Sequence, residues 1–155
     1  MTLVVYVGGA RSGKSTLAVE RAHAEGGPVT FIATGEADDE EMAERIARHK
    51  SERPAGWTTI EEPIDVAGAL ASVADTDTVI VDCLSLWIAN GGDGALPAPR
   101  GGLTIAVTNE VGLGIVPVNA LARAYRDDLG RVNAAWVAAS DEAYFVVAGR
   151  TLRLA

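Results

Sequence analysis

Short runs of apolar residues without polar alternation recur along the chain at residues 3–7, 29–33, 79–82, 103–108 and 143–147. Continuous runs of this kind predict strands buried on both faces rather than half-exposed ones. Between them the period lengthens to that of a helix. Residues 16–25 place Leu17, Ala18 and Ala22 on one face, and Gly26-Gly27-Pro28 ends the pattern. A second helix is expected after Asp38, which stands three residues before Glu41 as in a capping box, with the acids Asp38, Asp39, Glu40 and Glu41 at its positive end. Met42, Ile46 and His49 then share a face. Arg53-Pro54-Ala55-Gly56 breaks the pattern, residues 57–61 read as extended, and residues 64–74 form an amphipathic helix through Val66, Ala67, Leu70 and Val73. Asp75 to Asp77 turns the chain into the 79–82 strand.

The second half continues the alternation. Residues 84–90 make a short helix, and residues 91–102, with five glycines and two prolines, read as a loop expected to be mobile. A long helix at 119–139 carries Leu121, Ala124, Tyr125, Leu129, Val132, Trp136 and Val137 as its apolar side. Residues 143–147 and 151–154 close the sheet as two strands joined at Gly149-Arg150, the spacing of a hairpin. Strands alternating with helices imply a parallel α/β sheet. The 155 residues suffice for one domain with a buried core, and aromatics at 5% suit close-packed helices on a sheet.

Charge and cysteine content narrow the function. A formal net charge of −8 argues against nucleic-acid or anionic-membrane partners, which need a basic surface. A single cysteine, Cys83, rules out an internal disulfide and a thiol cluster. The chain enters its first strand without a charged and apolar leader, and no apolar run reaches the roughly 18 residues of a membrane span. The expected location is the cytoplasm.

Chemistry first appears at Gly8-Gly9-Ala10-Arg11-Ser12-Gly13-Lys14-Ser15, the pattern G-x-x-x-x-G-K-[ST] between a strand and a helix. Such a loop turns successive N–H groups inward, and the helix that follows adds its positive end, making a cradle for polyphosphate. Lys14 would reach the β- and γ-phosphates, and the Ser15 hydroxyl would take one position on Mg²⁺. Asp82, at the carboxyl end of a later strand, suits the same metal; as a plain alternative it caps the next helix. Thr34-Gly35 and Asn109 to Pro117 also fall at strand carboxyl ends, the edge where open α/β sheets bind ligands. Arg123, Arg126 and Arg131 read either as a solvated face beside Asp127 and Asp128 or as anion ligands. His23 falls outside any motif and reads as structural.

Four blocks are more specific than a phosphate-binding loop alone. They are residues 8–15; Glu41-Met42-Ala43-Glu44-Arg45-Ile46-Ala47-Arg48-His49-Lys50 with Arg53-Pro54 and Trp57; Val81-Asp82-Cys83-Leu84-Ser85-Leu86-Trp87; and Thr108-Asn109-Glu110-Val111-Gly112 through Arg131-Val132-Asn133. In this order they resemble the bifunctional adenosylcobinamide kinase/adenosylcobinamide-phosphate guanylyltransferase family of cobalamin biosynthesis, over nearly the whole chain. The fold this implies is α/β, a P-loop NTPase-like (RecA-like), mostly parallel sheet flanked by helices in a single domain.

The resemblance implies two reactions at one nucleotide site: phosphorylation of adenosylcobinamide by ATP or GTP, then transfer of GMP from GTP to the product through a GMP-histidine intermediate. By motif position that histidine is His49; neutral imidazole is a good nucleophile at phosphorus, and the plain alternative is a structural histidine near a helix end. The resemblance also makes Gly8 to Ser15 the triphosphate loop and Ala33, Thr34 and Gly35 a nucleotide-contacting strand end. Lys50, Ser51, Glu52 and Arg53 would neighbour the nucleotide, and Glu61 and Asp82 would supply carboxylates to guanosine or its metal, with Glu62 the substitute if the register slips by one. The implied partners are the corrinoid and nucleotides, and the implied assembly is a homo-oligomer, a trimer. One departure stands out. Family members usually carry a longer, partly acidic helical segment where this chain has residues 91–102. The alternatives are a small-molecule P-loop kinase lacking guanylyl transfer and a non-catalytic nucleotide-binding protein.

Overall fold

A computed structural model of the chain describes residues 2–37 and 39–155. The order is β1 (Thr2–Gly8), α1 (Lys14–Glu25), β2 (Val29–Ala33), α2 (Glu40–Ser51), β3 (Thr58–Glu61), α3 (Val66–Ser72), β4 (Thr78–Asp82), α4 (Leu84–Ala89), β5 (Leu103–Asn109), α5 (Ala120–Ala139), β6 (Glu142–Val147) and β7 (Arg150–Arg153). All seven strands join one sheet in the order β3-β2-β4-β5-β1-β6-β7, parallel except for the β6–β7 hairpin. Strand β5 lies between β1, which feeds the glycine-rich loop, and β4, which ends in Asp82. That interposed strand is the RecA-like arrangement expected from the sequence.

Burial on both faces explains the continuous apolar runs. Leu3, Val5 and Val7 face a cluster built with α3, α4 and α5, whereas Val4 and Tyr6 face the cluster that receives Ala18 and Ala22 of α1. Small alanines let α1 lie close on the sheet. On the opposite side Trp87 and Trp136 meet edge to face, ring centres 6.4 Å apart, and each indole N–H finds a carbonyl, that of Ile64 at 2.7 Å and that of Gly94 at 3.0 Å. Truncating Trp136 to alanine would cost about 3–5 kcal/mol.

Several boundaries differ from the sequence reading, each for a local reason. The first helix starts at Lys14 rather than at residue 16, because Gly13 takes a left-handed φ of 101° and serves as its N-cap. Asp39 caps α2, its side chain accepting from the Met42 N–H at 2.7 Å; Asp38 lies outside the described residues. Cys83, not Asp82, caps α4, its Sγ accepting from the Leu86 N–H. The third helix is shorter than residues 64–74, with Asp65 as its cap and Ile64 exposed. Leu121, assigned to the apolar side of the long helix, is also exposed.

The 91–102 segment, read as a loop, is tied to neighbouring elements at its end. The Arg100 guanidinium donates to the carbonyls of Ala74 at 2.6 Å and Asp77 at 2.9 Å, and the Gly101 N–H donates to Asp75 at 2.9 Å. With α4 it completes the parallel connection from β4 to β5.

Candidate active site

Strand register gathers the candidate residues at one edge of the sheet. Gly8 pairs with Asn109, Asp82 with Val107, and Ala33 with both Asp82 and Glu61. The carboxyl ends of five strands therefore open into the same space, where ligands of α/β sheets bind. A cleft of about 400 Å³ lies there. Arg11, Ser12, Gly13, Lys14 and Ser15 form its floor, Ala33, Gly35, Glu61, Asp82 and Asn109 the strand-end wall, and α2 the facing wall through Met42, Arg45, Ile46, Arg48 and His49.

The glycine-rich loop is built to keep its backbone donors facing inward. Its entry is tight, since a side chain on Gly8 would collide with the Val146 carbonyl of β6. Its exit needs the positive φ of Gly13, and Arg11 also sits at φ 53°. The Glu110 N–H donates to the Gly8 carbonyl at 3.0 Å and the Gly149 N–H to the Ser12 carbonyl at 2.7 Å, tying both ends to neighbouring elements. Lys14 is only 7% exposed, and its ammonium folds back on the loop, donating to the Gly9 carbonyl at 2.6 Å. Burial lowers its pKa, the Arg45 charge pushes the same way, and Cys83 and Asp82 oppose them.

The Arg53 guanidinium carbon stands over the Phe31 ring, 3.7 Å from its centre, while Nη1 donates to Thr59 Oγ1 at 2.9 Å. Among the described residues its buried Nε has no partner. Burial lowers the Arg53 pKa, against the pull of Asp82 and Glu61. Glu61 pairs with Lys50, whose hydrogen bond and charge hold the Glu61 carboxyl below the usual range. Of the two glutamates, Glu61 lines the cleft, whereas Glu62 accepts from the N–H groups of Ile64 and Asp65 in the turn before α3.

The other named residues stand outside the cleft lining. Gly8, Gly9 and Ala10 belong to the loop behind it, and Ser51 and Glu52 finish α2, the Ser51 hydroxyl donating to the Arg48 carbonyl. Lys50 reaches the cleft only through Glu61. Thr34 is fully buried, its hydroxyl donating to the Cys83 carbonyl at 2.7 Å and accepting from the Cys83 N–H at 2.8 Å. That pair ties the ends of β2 and β4 together beneath the site. The α5 arginines serve locally: Arg123 donates to the Pro117 and Val118 carbonyls, Arg126 pairs with Asp127 and Arg131 with Asp128. His23 is exposed on α1 and does not line the cleft.

The sequence reading missed Phe31, Arg45, Cys83 and Leu86 as cleft residues. Arg45 carried a usable signal, since it stands four residues before His49 and so shares its helix face. Phe31 carried none, because a strand phenylalanine reads simply as core.

For Mg²⁺, the Ser15 hydroxyl and the Asp82 carboxylate share the cleft with the phosphate loop. No group of three or more His, Cys, Asp or Glu among the described residues could enclose a metal. Mg²⁺ commonly takes one or two protein ligands and completes its shell with phosphate oxygens and water, so this donor set fits it.

The sheet order, loop and cleft define a P-loop nucleotide-binding protein. A family model described as cobinamide kinase / cobinamide phosphate guanyltransferase matches residues 3–94 and 95–154, and the chain belongs to that family. The break between the matched segments falls inside the 91–102 stretch. The bifunctional adenosylcobalamin biosynthesis protein CobP of Pseudomonas aeruginosa is 42% identical, covering 97% of this chain and 95% of its own length. The proteins of that bifunctional name called CobU in Salmonella typhimurium and Escherichia coli are 36% and 35% identical, each over 95% of this chain and 96% of its own length. The resemblance carried by the four sequence blocks is borne out. The family description joins two nucleotide-dependent transfers, so the chain is a transferase.

Proposed function

We propose that this chain phosphorylates the hydroxyl of adenosylcobinamide with ATP or GTP and then transfers GMP from GTP to the resulting phosphate. The observation that carries the reading is the meeting, in one cleft, of the phosphate loop, Asp82 and His49, the last on a helix that follows a different strand. In the kinase step the loop N–H groups and Lys14 hold the β- and γ-phosphates, so that the acceptor hydroxyl attacks the γ-phosphorus and the nucleoside diphosphate leaves. In the guanylyl step the neutral His49 imidazole attacks the α-phosphorus, a P–N bond forms, and pyrophosphate departs. An oxygen of the corrinoid phosphate then attacks the same phosphorus, the P–N bond breaks, and imidazole is restored.

Mg²⁺, when bound by Ser15 and Asp82, supplies charge neutralisation at the phosphates. Glu61 accepts N–H groups of guanine or hydroxyls of the ribose, and Arg53 carries positive charge into the wall beside them. None of residues 91–102 lines the cleft, which supports reading the nucleotide site as independent of the shortened connection.

We also infer a homo-oligomer, a trimer by the family resemblance. Supporting it, Leu113 is 79% exposed and Ile115 and Val118 are 98% exposed, in one stretch with Val116 and Leu121. Such a patch calls for cover. No helix among the described residues is long and apolar enough to cross a membrane. We place the reactions in the cytoplasm, where nucleoside triphosphates are supplied.

The test is product analysis. The purified chain, incubated with adenosylcobinamide, GTP and Mg²⁺, should yield adenosylcobinamide phosphate and then adenosylcobinamide-GDP, resolved by mass. Formation of the phosphate alone would reduce the protein to a kinase, and no product would refute both activities.

A further inference from the structure

The cleft carries more positive charge than the phosphate loop alone would need, in a chain whose net charge is −8. Arg11 and Lys14 face it from the loop, and Arg45 and Arg48 from α2. Among the described residues neither α2 arginine takes part in a hydrogen bond through its side chain or in an ion pair, unlike Arg21, Arg126 and Arg131. Arg45 and the Lys14 ammonium line the same cleft, one from α2 and the other from the loop. Two cations that oppose each other across a cleft form a seat for an anion bridging them.

Helix geometry says which arginine takes part. Met42, Ile46 and His49 define the cleft face of α2, and Arg45 falls on it one turn before His49. The rise between residues 45 and 49 is about 6 Å, on the scale of the distance from the innermost to the outermost phosphate of a triphosphate. With the α-phosphate at His49 and the triphosphate running along α2 toward its first turn, the outer phosphates would lie level with Arg45, between it and Lys14.

We propose that Arg45 is a catalytic residue: it clamps the β- and γ-phosphates against Lys14 from the α2 side and neutralises the charge that develops there in both transfers. The proposal rests on the reading that GTP binds this cleft with its α-phosphate at His49. In the guanylyl step the electron pair of the breaking P–O bond goes to departing pyrophosphate, and the guanidinium stabilises that charge. In the kinase step it stabilises the equatorial oxygens of the γ-phosphoryl group as it passes to the acceptor hydroxyl. A planar fork suits this role better than an ammonium, so lysine would restore only part of it.

The test compares the native chain with Arg45→Gln and Arg45→Lys. It measures covalent labelling by GTP carrying label on the α-phosphate in a single turnover, the kinase rate with adenosylcobinamide, and equilibrium GTP binding. Arg45→Gln should slow both transfers about 100-fold, with a much smaller change in GTP affinity, and Arg45→Lys should recover part of the loss. Melting temperatures should match the native chain, because Arg45 is exposed and packs against nothing in the core. Native rates in Arg45→Gln for both transfers would overturn the clamp and leave the His49 reading standing. A native chain that phosphorylates but never labels would overturn the His49 reading and, with it, the placement of the triphosphate on which the clamp rests.

Discussion

The backbone N–H of Gly149, in the turn between β6 and β7, donates to the carbonyl of Ser12 at 2.7 Å. The last hairpin of the chain thus braces the loop near its exit into α1. Ala148 and Gly149 have φ angles of 49° and 71°, as the two-residue turn of a right-twisted hairpin requires. Gly149 also lies against Gly13, where a side chain would come within 3.3 Å of its Cα. Gly149→Ala should therefore raise the GTP concentration for half-saturation several-fold, because alanine resists this φ. Gly149→Asn, which tolerates it, should bind nearly as the native chain does. Titration of GTP binding on the variants checks this, and equal affinity in all three would show that the brace is dispensable.

Thr34 uses its hydroxyl twice on the same residue, and Thr34→Val would leave the buried N–H of Cys83 without that partner, while the Cys83 carbonyl keeps the Trp87 N–H at 3.1 Å. The expected loss is about 2–3 kcal/mol of folding stability, read as a lower urea midpoint with an unchanged slope. A loss below about 0.5 kcal/mol would mean that other groups take up those bonds.

Lys14 is held charged at a cost to the free protein. Its folded pKa lies below its unfolded value, so between the two the unfolded chain binds more protons and stability rises with pH up to the unfolded value. Lys14→Met removes the buried charge. It should melt a few degrees higher without nucleotide at neutral pH, lose that pH dependence, and bind triphosphate far more weakly. Calorimetry with and without GTP separates the effects; a variant that melts lower would show that the bond to the Gly9 carbonyl outweighs the burial of charge.

Ile115→Asp should shift the assembly toward monomer, because a carboxylate at a position 98% exposed in this monomer would be buried by a subunit contact there. Light scattering on the native and variant chains reads the mass directly. The same oligomer in both would place the subunit contact elsewhere.

How much of this was legible in the sequence depended on whether one local cause acted. Strand β2 occupies residues 29–33 as read, since a fully buried strand needs only continuous apolarity. The phosphate loop was legible because its glycines and lysine act through their own backbone and charge. The final hairpin was expected to turn at Gly149-Arg150 but turns at Ala148-Gly149, because an alanine at positive φ leaves no trace in composition. The anchoring of residues 91–102 was hidden for another reason. It depends on Arg100 reaching carbonyls more than twenty residues back and on the Trp136 indole meeting Gly94, contacts that exist only once the core has formed. Phe31 under Arg53 was invisible in the same way, whereas His49 could be singled out because the residues around it repeat a family pattern.

The central claim is that His49 carries GMP between GTP and the corrinoid phosphate. Its most direct measurement is covalent labelling with α-phosphate-labelled GTP and Mg²⁺, comparing the native chain with His49→Ala. Transfer through His49 requires a label on the native chain that is labile to acid and stable to base, absent from His49→Ala, and discharged by adenosylcobinamide phosphate. A native chain that binds GTP and never acquires the label, or a label that persists in His49→Ala, would contradict it.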